Sequence, residues 1–131
     1  MIVLDTHIWL WWLNDDLHRL QRSWINLINE ADTVAVSAIS CFEVAWLARH
    51  NRVTLPCDLV AWFDKALDGS NIDLLPITPG IAKIAVDLPE YHTDPQDRLI
   101  IATAVSYDAR LISVDKKFRD YKEIEHLIVP Q

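Results

Sequence analysis

Four carboxylates stand where a short aliphatic run ends or a helical pattern begins. "IVLD" (2–5) and "LISVD" (111–115) close on Asp5 and Asp115, "SCFEV" carries Glu43, and "DPQDR" carries Asp97 three residues after Asp94. Carboxylates gathered at one place raise one another's pKa, and the strain persists until a cation neutralises it. An all-oxygen donor set suits Mg²⁺ or Mn²⁺ rather than zinc or copper. Such an ion makes a hydroxide from bound water and stabilises charge on a phosphate during in-line displacement. The chemistry that follows is phosphodiester hydrolysis, which needs no Ser-His-Asp triad. There is no G-x-x-x-x-G-K-[ST] phosphate loop, so nucleoside triphosphate hydrolysis has no support.

Each acid also has a purely structural alternative. Ser40-Cys41-Phe42-Glu43 fits the S-x-x-E capping box. Asp94-Pro95-Gln96-Asp97 fits an N-cap, a proline at the first helical position and an acid in the first turn. Asp5 and Asp115 fit caps of whatever follows their strands. The set of four is harder to explain this way. Caps need not gather on one edge, and serine or threonine would cap without repulsion.

Positioning the four requires alternating elements. Short branched-aliphatic runs at 2–5, 34–37, 74–78, 111–115 and 126–130 read as about five strands covered on both faces. Between them run helical stripes: Leu17, Leu20, Trp24 and Leu27; Leu59, Phe63, Ala66 and Leu67; Ile81, Ile84, Ala85 and Leu88. The last has Thr78 as N-cap and Pro79 in its first turn. Residues 41–50 and 97–107 are apolar nearly all round, as central helices are. The pattern predicts an α/β fold of three layers, α/β/α, around a mainly parallel sheet. Right-handed crossovers place every strand's carboxyl end on one edge, where ligands bind in such folds.

Composition narrows the classes further. A chain of 131 residues with 51% hydrophobic content supports one domain, 1–131, with a core of its own. Cys41 and Cys57 are too few for a disulfide framework and lack zinc-ligand spacing, which suits a reducing, cytoplasmic setting. No apolar run is long enough to span a bilayer, and "MIVLDTH" does not read as a signal peptide. The formal net charge of −7 argues against gripping nucleic acid through basic patches alone. It does not argue against doing so through carboxylates loaded with divalent cations.

Together, "VLDTHIWLWW", "SAISCFEVAWL", "HTDPQDRLIIATA" and "LISVDKKF" resemble the PIN-domain family, in particular VapC-type toxins of bacterial toxin–antitoxin pairs. The resemblance runs from Ile2 to the last strand. It implies a Mg²⁺- or Mn²⁺-dependent endoribonuclease acting as a toxin. The family's four acids fall on Asp5, Glu43, Asp97 and Asp115, as catalytic metal ligands. Asp94 falls on an auxiliary ligand or cap, and Thr6 and Ser113 fall on supporting positions. Gln96 stands where related chains often carry an aromatic residue. The resemblance also implies homodimerisation and a cognate antitoxin that lays an apolar segment in a groove and directs a basic side chain at the acids. Trp9, Trp11, Trp12 and Trp46 are candidates for that groove or for the core.

Other residues near the acids have more ordinary readings. His7 and His92 suit structural or solvent roles, because hard metals do not require imidazole. Arg98 is a supporting candidate, for substrate phosphate or for an ion pair with a neighbouring acid. Arg49, Arg52 and Lys65 read as a solvated face that can also track an RNA backbone. Two other classes compete with the nuclease. One is a non-catalytic PIN-like binding module. The other is a phospho-aspartate phosphatase or receiver, disfavoured by His7 two positions after Asp5 and by the lack of an aspartate closing the third strand.

Overall fold

Ile2–Leu4 forms β1, with Ile2 and Leu4 turned to one side of the sheet and Val3 to the other. The computed structural model describes residues 1–131. β2 is Val34–Ser37, β3 is Ile72–Leu75 and β4 is Arg110–Ile112. All pair in parallel, in the order β3-β2-β1-β4. Parallel neighbours need crossovers, and helices supply them: α1 (Thr6–Leu13), α2 (Arg22–Glu30), α3 (Ala38–Arg49), α4 (Leu59–Phe63), α5 (Pro79–Asp87) and α6 (Pro95–Ser106). The chain steps outward from β1 to β3 and then returns to the far side of β1 as β4. The switch point of the sheet therefore lies between the carboxyl ends of β1 and β4, where Asp5 and Ser113 stand.

Two cores sandwich the sheet. On one side Ile2, Leu4 and Val36 meet Ile8, Trp9, Trp24 and Trp62. On the other, Val3, Ala35 and Leu111 meet Ile100, Ile101, Ala104, Phe118 and Tyr121. The buried indoles are not equally satisfied. Trp24 Nε1 donates to the Pro130 carbonyl at 3.0 Å and Trp62 Nε1 to Asn14 Oδ1 at 2.9 Å. Trp9 Nε1 has no partner, although its ring packs edge-on against Trp62 at 4.9 Å.

With two glycines in the chain, asparagine and aspartate take the left-handed positions that follow helices. Asp15, Asn51, Asn71 and Asp108 all have positive φ, between 50° and 61°. No helix is long and apolar enough to cross a membrane.

Three sequence expectations are corrected. The fifth strand over 126–130 does not form, leaving four strands and one isolated bridge between Leu111 and Ile128. Instead Lys116–Asp120 and Lys122–Leu127 are 3₁₀ turns. The reason is a period of three: Tyr121, Ile124 and Leu127 are all buried, and in a 3₁₀ helix positions i and i+3 share a face. The third strand spans Ile72–Leu75 rather than 74–78. Pro76 cannot donate to a ladder, and Thr78 is already the N-cap of α5. The stripe from Leu17 to Leu27 is also split, into a 3₁₀ turn at Leu17–Arg19 and α2.

Candidate active site

Asp5, Asp94, Asp97 and Asp115 stand at or beside element ends, whereas Glu43 stands in the middle of a helix. Asp5 is the N-cap of α1 and is almost wholly buried. Its Oδ1 accepts from the Thr6 amide at 2.8 Å, and its Oδ2 accepts from the Ser113 hydroxyl at 2.7 Å. The Asp5 amide donates to the Ile112 carbonyl at 2.9 Å, so the residue prolongs the β1–β4 pairing by one rung. Ser113 Oγ in turn accepts from the Asp115 amide at 2.9 Å. Asp115 caps the 3₁₀ turn that follows it, its Oδ1 accepting from the Lys117 amide at 3.0 Å.

Glu43 lies inside α3, half-buried, with Oε1 sealed from solvent and without a hydrogen-bond partner. The expected capping box is absent. Ser37, not Ser40, caps α3, accepting from the Ile39 amide at 3.3 Å. Ser40 is buried within the helix, and its Oγ accepts from the Thr6 hydroxyl at 2.9 Å, tying α1 to α3 beneath the acids. Thr6 is thus a brace between helices. The Thr103 hydroxyl adds a parallel brace from α6 to Ser37 at 3.3 Å. Ser37, Ser40 and Thr103 were invisible as site supports in the sequence, because a hydroxyl inside an apolar helix carries no spacing signal.

Asp97 sits in the first turn of α6, half-buried, where the helix dipole favours a negative charge. Asp94 is the exposed N-cap of the same helix, accepting from the Gln96 amide at 2.9 Å. The structure brings these acids within electrostatic reach of one another. Burial, then Asp5, and more weakly Asp97 and Asp94, push Glu43 up to about 7, against the opposing pull of the Thr6 hydroxyl. Burial, then Asp94, Asp5 and Asp115, push Asp97 up to about 7. Burial raises Asp5 as well, against the opposing pull of Ser113, Thr6 and His7.

Arg98 does not do what its sequence neighbourhood suggested. Its guanidinium is buried and donates to the carbonyls of Ala85, Val86, Leu88, Pro89 and His92, at 2.7–3.2 Å. It closes the carboxyl end of α5 and the turn leading to α6, and it makes no ion pair. Both terminal nitrogens of the fork turn to that bundle of carbonyls, so the charge is committed to the backbone rather than to a neighbouring acid. His92 pairs with Asp120 at 2.9 Å on the surface, and His7 is exposed beside Asp5.

The tryptophan candidates divide. Trp9 is core. Trp11 and Trp12 are half-buried. Trp46 is 44% exposed and stacks on His50 with ring centres 4.0 Å apart. Phe42, one turn before Trp46 on α3, is 56% exposed, which the all-round apolar pattern of 41–50 conceals in the sequence.

The donor set fits a hard dication. It is all oxygen, its members strain one another, and one buried oxygen lacks a partner. As placed, no three of the side chains converge on a single point, so coordination requires their carboxylates to turn inward.

A parallel α/β/α domain with an acid cluster at the switch point of its sheet defines the class. The chain belongs to the PIN domain family, whose model matches residues 2–124. It is 37% identical over 122 residues to Ribonuclease VapC22 of Mycobacterium tuberculosis, covering 92% of each protein. Its fold is similar to that of a chain in VapBC2 from Rickettsia felis bound to a promoter DNA fragment (TM-score 0.66, 20% identity, 99% of this chain and 98% of that one). It is also similar to a chain in a toxin–antitoxin complex from Klebsiella pneumoniae (TM-score 0.63, 20% identity, 99% and 97%).

Proposed function

We propose that this chain is a divalent-metal-dependent endoribonuclease, the toxin of a toxin–antitoxin pair, with Asp5, Glu43, Asp97 and Asp115 as its catalytic acids. The observation that carries the reading is the strained carboxylate set at the sheet's switch point, with Glu43 Oε1 buried and unpartnered. The likeness to Ribonuclease VapC22 supports RNA as the substrate.

Asp5, Glu43, Asp97 and Asp115 would hold Mg²⁺ or Mn²⁺, which would supply water activation and charge neutralisation at the phosphate. The rest is the work of the chain itself. Thr6 and Ser113 fix both oxygens of Asp5, so that carboxylate is oriented before any ligand arrives. α6 holds Asp97 on a rigid mount. Near neutral pH Glu43 and Asp97 retain protons in part, which a bound cation would have to displace. Asp94 supports electrostatically while capping α6.

The partner reading follows from the solved neighbours and from α3. In this reading an antitoxin lays an apolar segment over the exposed Phe42 and Trp46, on either side of Glu43 along α3, and brings a cation to the acids. Homodimerisation and a cytoplasmic location belong to the same proposal.

The test is cleavage of single-stranded RNA by purified protein with Mn²⁺. Wild type cuts, a chelator stops it, and Asp97→Asn is inactive. Cleavage that survives both chelation and Asp97→Asn would refute the metal mechanism.

A further inference from the structure

Beyond the acids, one pocket gathers the cations that an RNA strand requires. It lies along the outward face of α1 and is lined by His7, Trp11, Asn14, Asp16, Arg19 and Arg52, among others. His7, Trp11 and Asn14 recur at helical spacing, so they form one stripe about 10 Å long, at 1.5 Å per residue. The stripe starts beside the acids, because His7 stands in the first turn of α1, the helix that Asp5 caps. At the far end Arg19 reaches back from the 3₁₀ turn after α1, and Arg52 arrives from the loop after α3.

The two arginines are uncommitted. The molecule has two ion pairs, Lys83–Asp87 and His92–Asp120, and neither involves Arg19 or Arg52. Neither guanidinium donates a hydrogen bond, in contrast to Arg98 with its five acceptors. Arg19 is instead held 5.7 Å over the Trp11 ring. A cation on an indole face is steadied while its N–H edge stays free to meet an anion. In a chain with net charge −7, two free arginines from separate segments meeting in one polar pocket next to the acids call for an anionic ligand.

We propose that this pocket is a backbone-phosphate subsite for the nucleotide adjoining the cleaved bond, with Arg19 and Arg52 as its phosphate ligands and Trp11 as a positioning residue. The proposal rests on RNA being the substrate. It makes the contact independent of base, as phosphate contacts are. Asp16 on the same wall opposes the anion and sets an upper bound on affinity. Its side chain makes no capping bond to the 3₁₀ turn it precedes, so removing its charge leaves local structure intact.

The experiment is fluorescence anisotropy of a short labelled single-stranded RNA in chelator, where no cleavage occurs, as a function of salt. Wild type binds. The double variant Arg19→Ala/Arg52→Ala binds about tenfold more weakly, and its log–log salt slope is shallower by about 1.4, or 0.7 per lost single-strand phosphate contact. Arg19→Lys/Arg52→Lys keeps the slope, Trp11→Ala shifts affinity in the same direction as the alanine pair by less, and Asp16→Asn binds more tightly. Melting temperatures of both arginine pairs and of Asp16→Asn stay at wild type, and Trp11→Ala, whose ring also packs on the core, is compared well below its own melting temperature. A double variant with the wild-type slope overturns the subsite, assigning the arginines to an acidic protein partner, and leaves the nuclease reading intact if Mn²⁺-dependent cleavage persists. Absence of RNA binding by wild type also overturns it. Arginine-dependent binding without cleavage in Mn²⁺ keeps the subsite and removes the nuclease.

Discussion

Asp97 and Arg98 are neighbours on the first turn of α6, and the fold treats their charges in opposite ways. Arg98 is buried with five carbonyl acceptors around one guanidinium. Asp97 is half-buried beside Asp94, Asp5 and Asp115, and burial first, then those carboxylates, push it up to about 7. A buried charge whose hydrogen bonds are complete stabilises the fold it sits in. A buried charge facing like charges destabilises it, and persists only where something outside the chain relieves the strain. The contrast separates a structural ion from a functional one without reference to conservation.

Swapping the two losses is the strongest way to break this comparison. Asp97→Asn is expected to reduce RNA cleavage by at least about 1000-fold, the scale lost with a group that acts on the transition state, while the melting temperature holds or rises. Arg98→Ala is expected to cost about 3 kcal/mol of stability, since it strands carbonyls at the end of α5. Arg98→Lys should recover little, because one ammonium cannot span five acceptors. Activity assays and thermal melts on the same preparations read both arms. An Arg98→Ala protein with unchanged stability and lost cleavage would place that residue in the chemistry after all.

The adjacency also shows what the sequence could carry. The alternation of aliphatic runs and helical stripes made the α/β/α layering and the parallel sheet legible, because burial on both faces leaves a plain aliphatic signature in strands such as Val34–Ser37. Asp5, Asp97 and Asp115 were legible as candidates because each ends or begins an element, whereas Glu43 lies in the interior of α3 and not at its start. The fate of Arg98 was not, since its partners are backbone carbonyls six to thirteen residues upstream, and carbonyls have no side-chain identity to read. The Thr6–Ser40 brace was hidden for a related reason: one hydroxyl meeting another 34 positions away leaves no periodicity. Where a local rule was available it misled twice, promoting Ser40 to a cap and 126–130 to a strand.

The electrostatic half of the comparison predicts a pH dependence. Glu43 and Asp97 bind protons more tightly in the folded state than in the unfolded chain, their folded values being about 7. Between the ordinary carboxylate range and pH 7 the folded state therefore carries the extra protons, and stability falls as pH rises. The penalty is complete above pH 7 and absent below the ordinary range. Melting of cation-free protein should occur at higher temperature near about pH 5 than near about pH 8, and Glu43→Gln/Asp97→Asn should flatten the profile. Saturating Mn²⁺ at the higher pH should raise the melting temperature by mass action. A metal-free protein whose stability instead climbs across that window would mean the acids are not strained.

Ser113 tests how far orientation matters once charge is kept. Its hydroxyl holds Asp5 Oδ2 at 2.7 Å while its oxygen takes the Asp115 amide, so it sets the direction of two acids at once. Ser113→Ala should weaken Mn²⁺ binding, and with it cleavage at limiting metal, by about 10- to 100-fold, the usual effect of losing a group that orients a ligand. Ser113→Thr retains the hydroxyl and should restore most of it. Isothermal titration with Mn²⁺ reads the affinity directly, and equal affinities for the alanine and wild-type proteins would show that the hydroxyl orients nothing that matters.

Asp94 carries the smallest effect and the sharpest division between cap and ligand. Its Oδ1 accepts from the Gln96 amide at 2.9 Å, a bond that asparagine can reproduce with its amide oxygen. If capping is its main duty, Asp94→Asn should keep both stability and cleavage, whereas Asp94→Ala should cost about 1 kcal/mol of stability. Its charge also contributes to the raised Asp97, so the asparagine protein should show a slightly lower apparent pKa for cleavage at limiting metal, with little loss of rate. If Asp94 instead coordinates the cation, Asp94→Asn should lose Mn²⁺ affinity while melting like wild type. Both readings leave the asparagine protein melting like wild type and the alanine protein below it, and only coordination costs the asparagine protein Mn²⁺ affinity, so the titration of this one pair of variants separates a helix cap from a metal ligand on the same carboxylate.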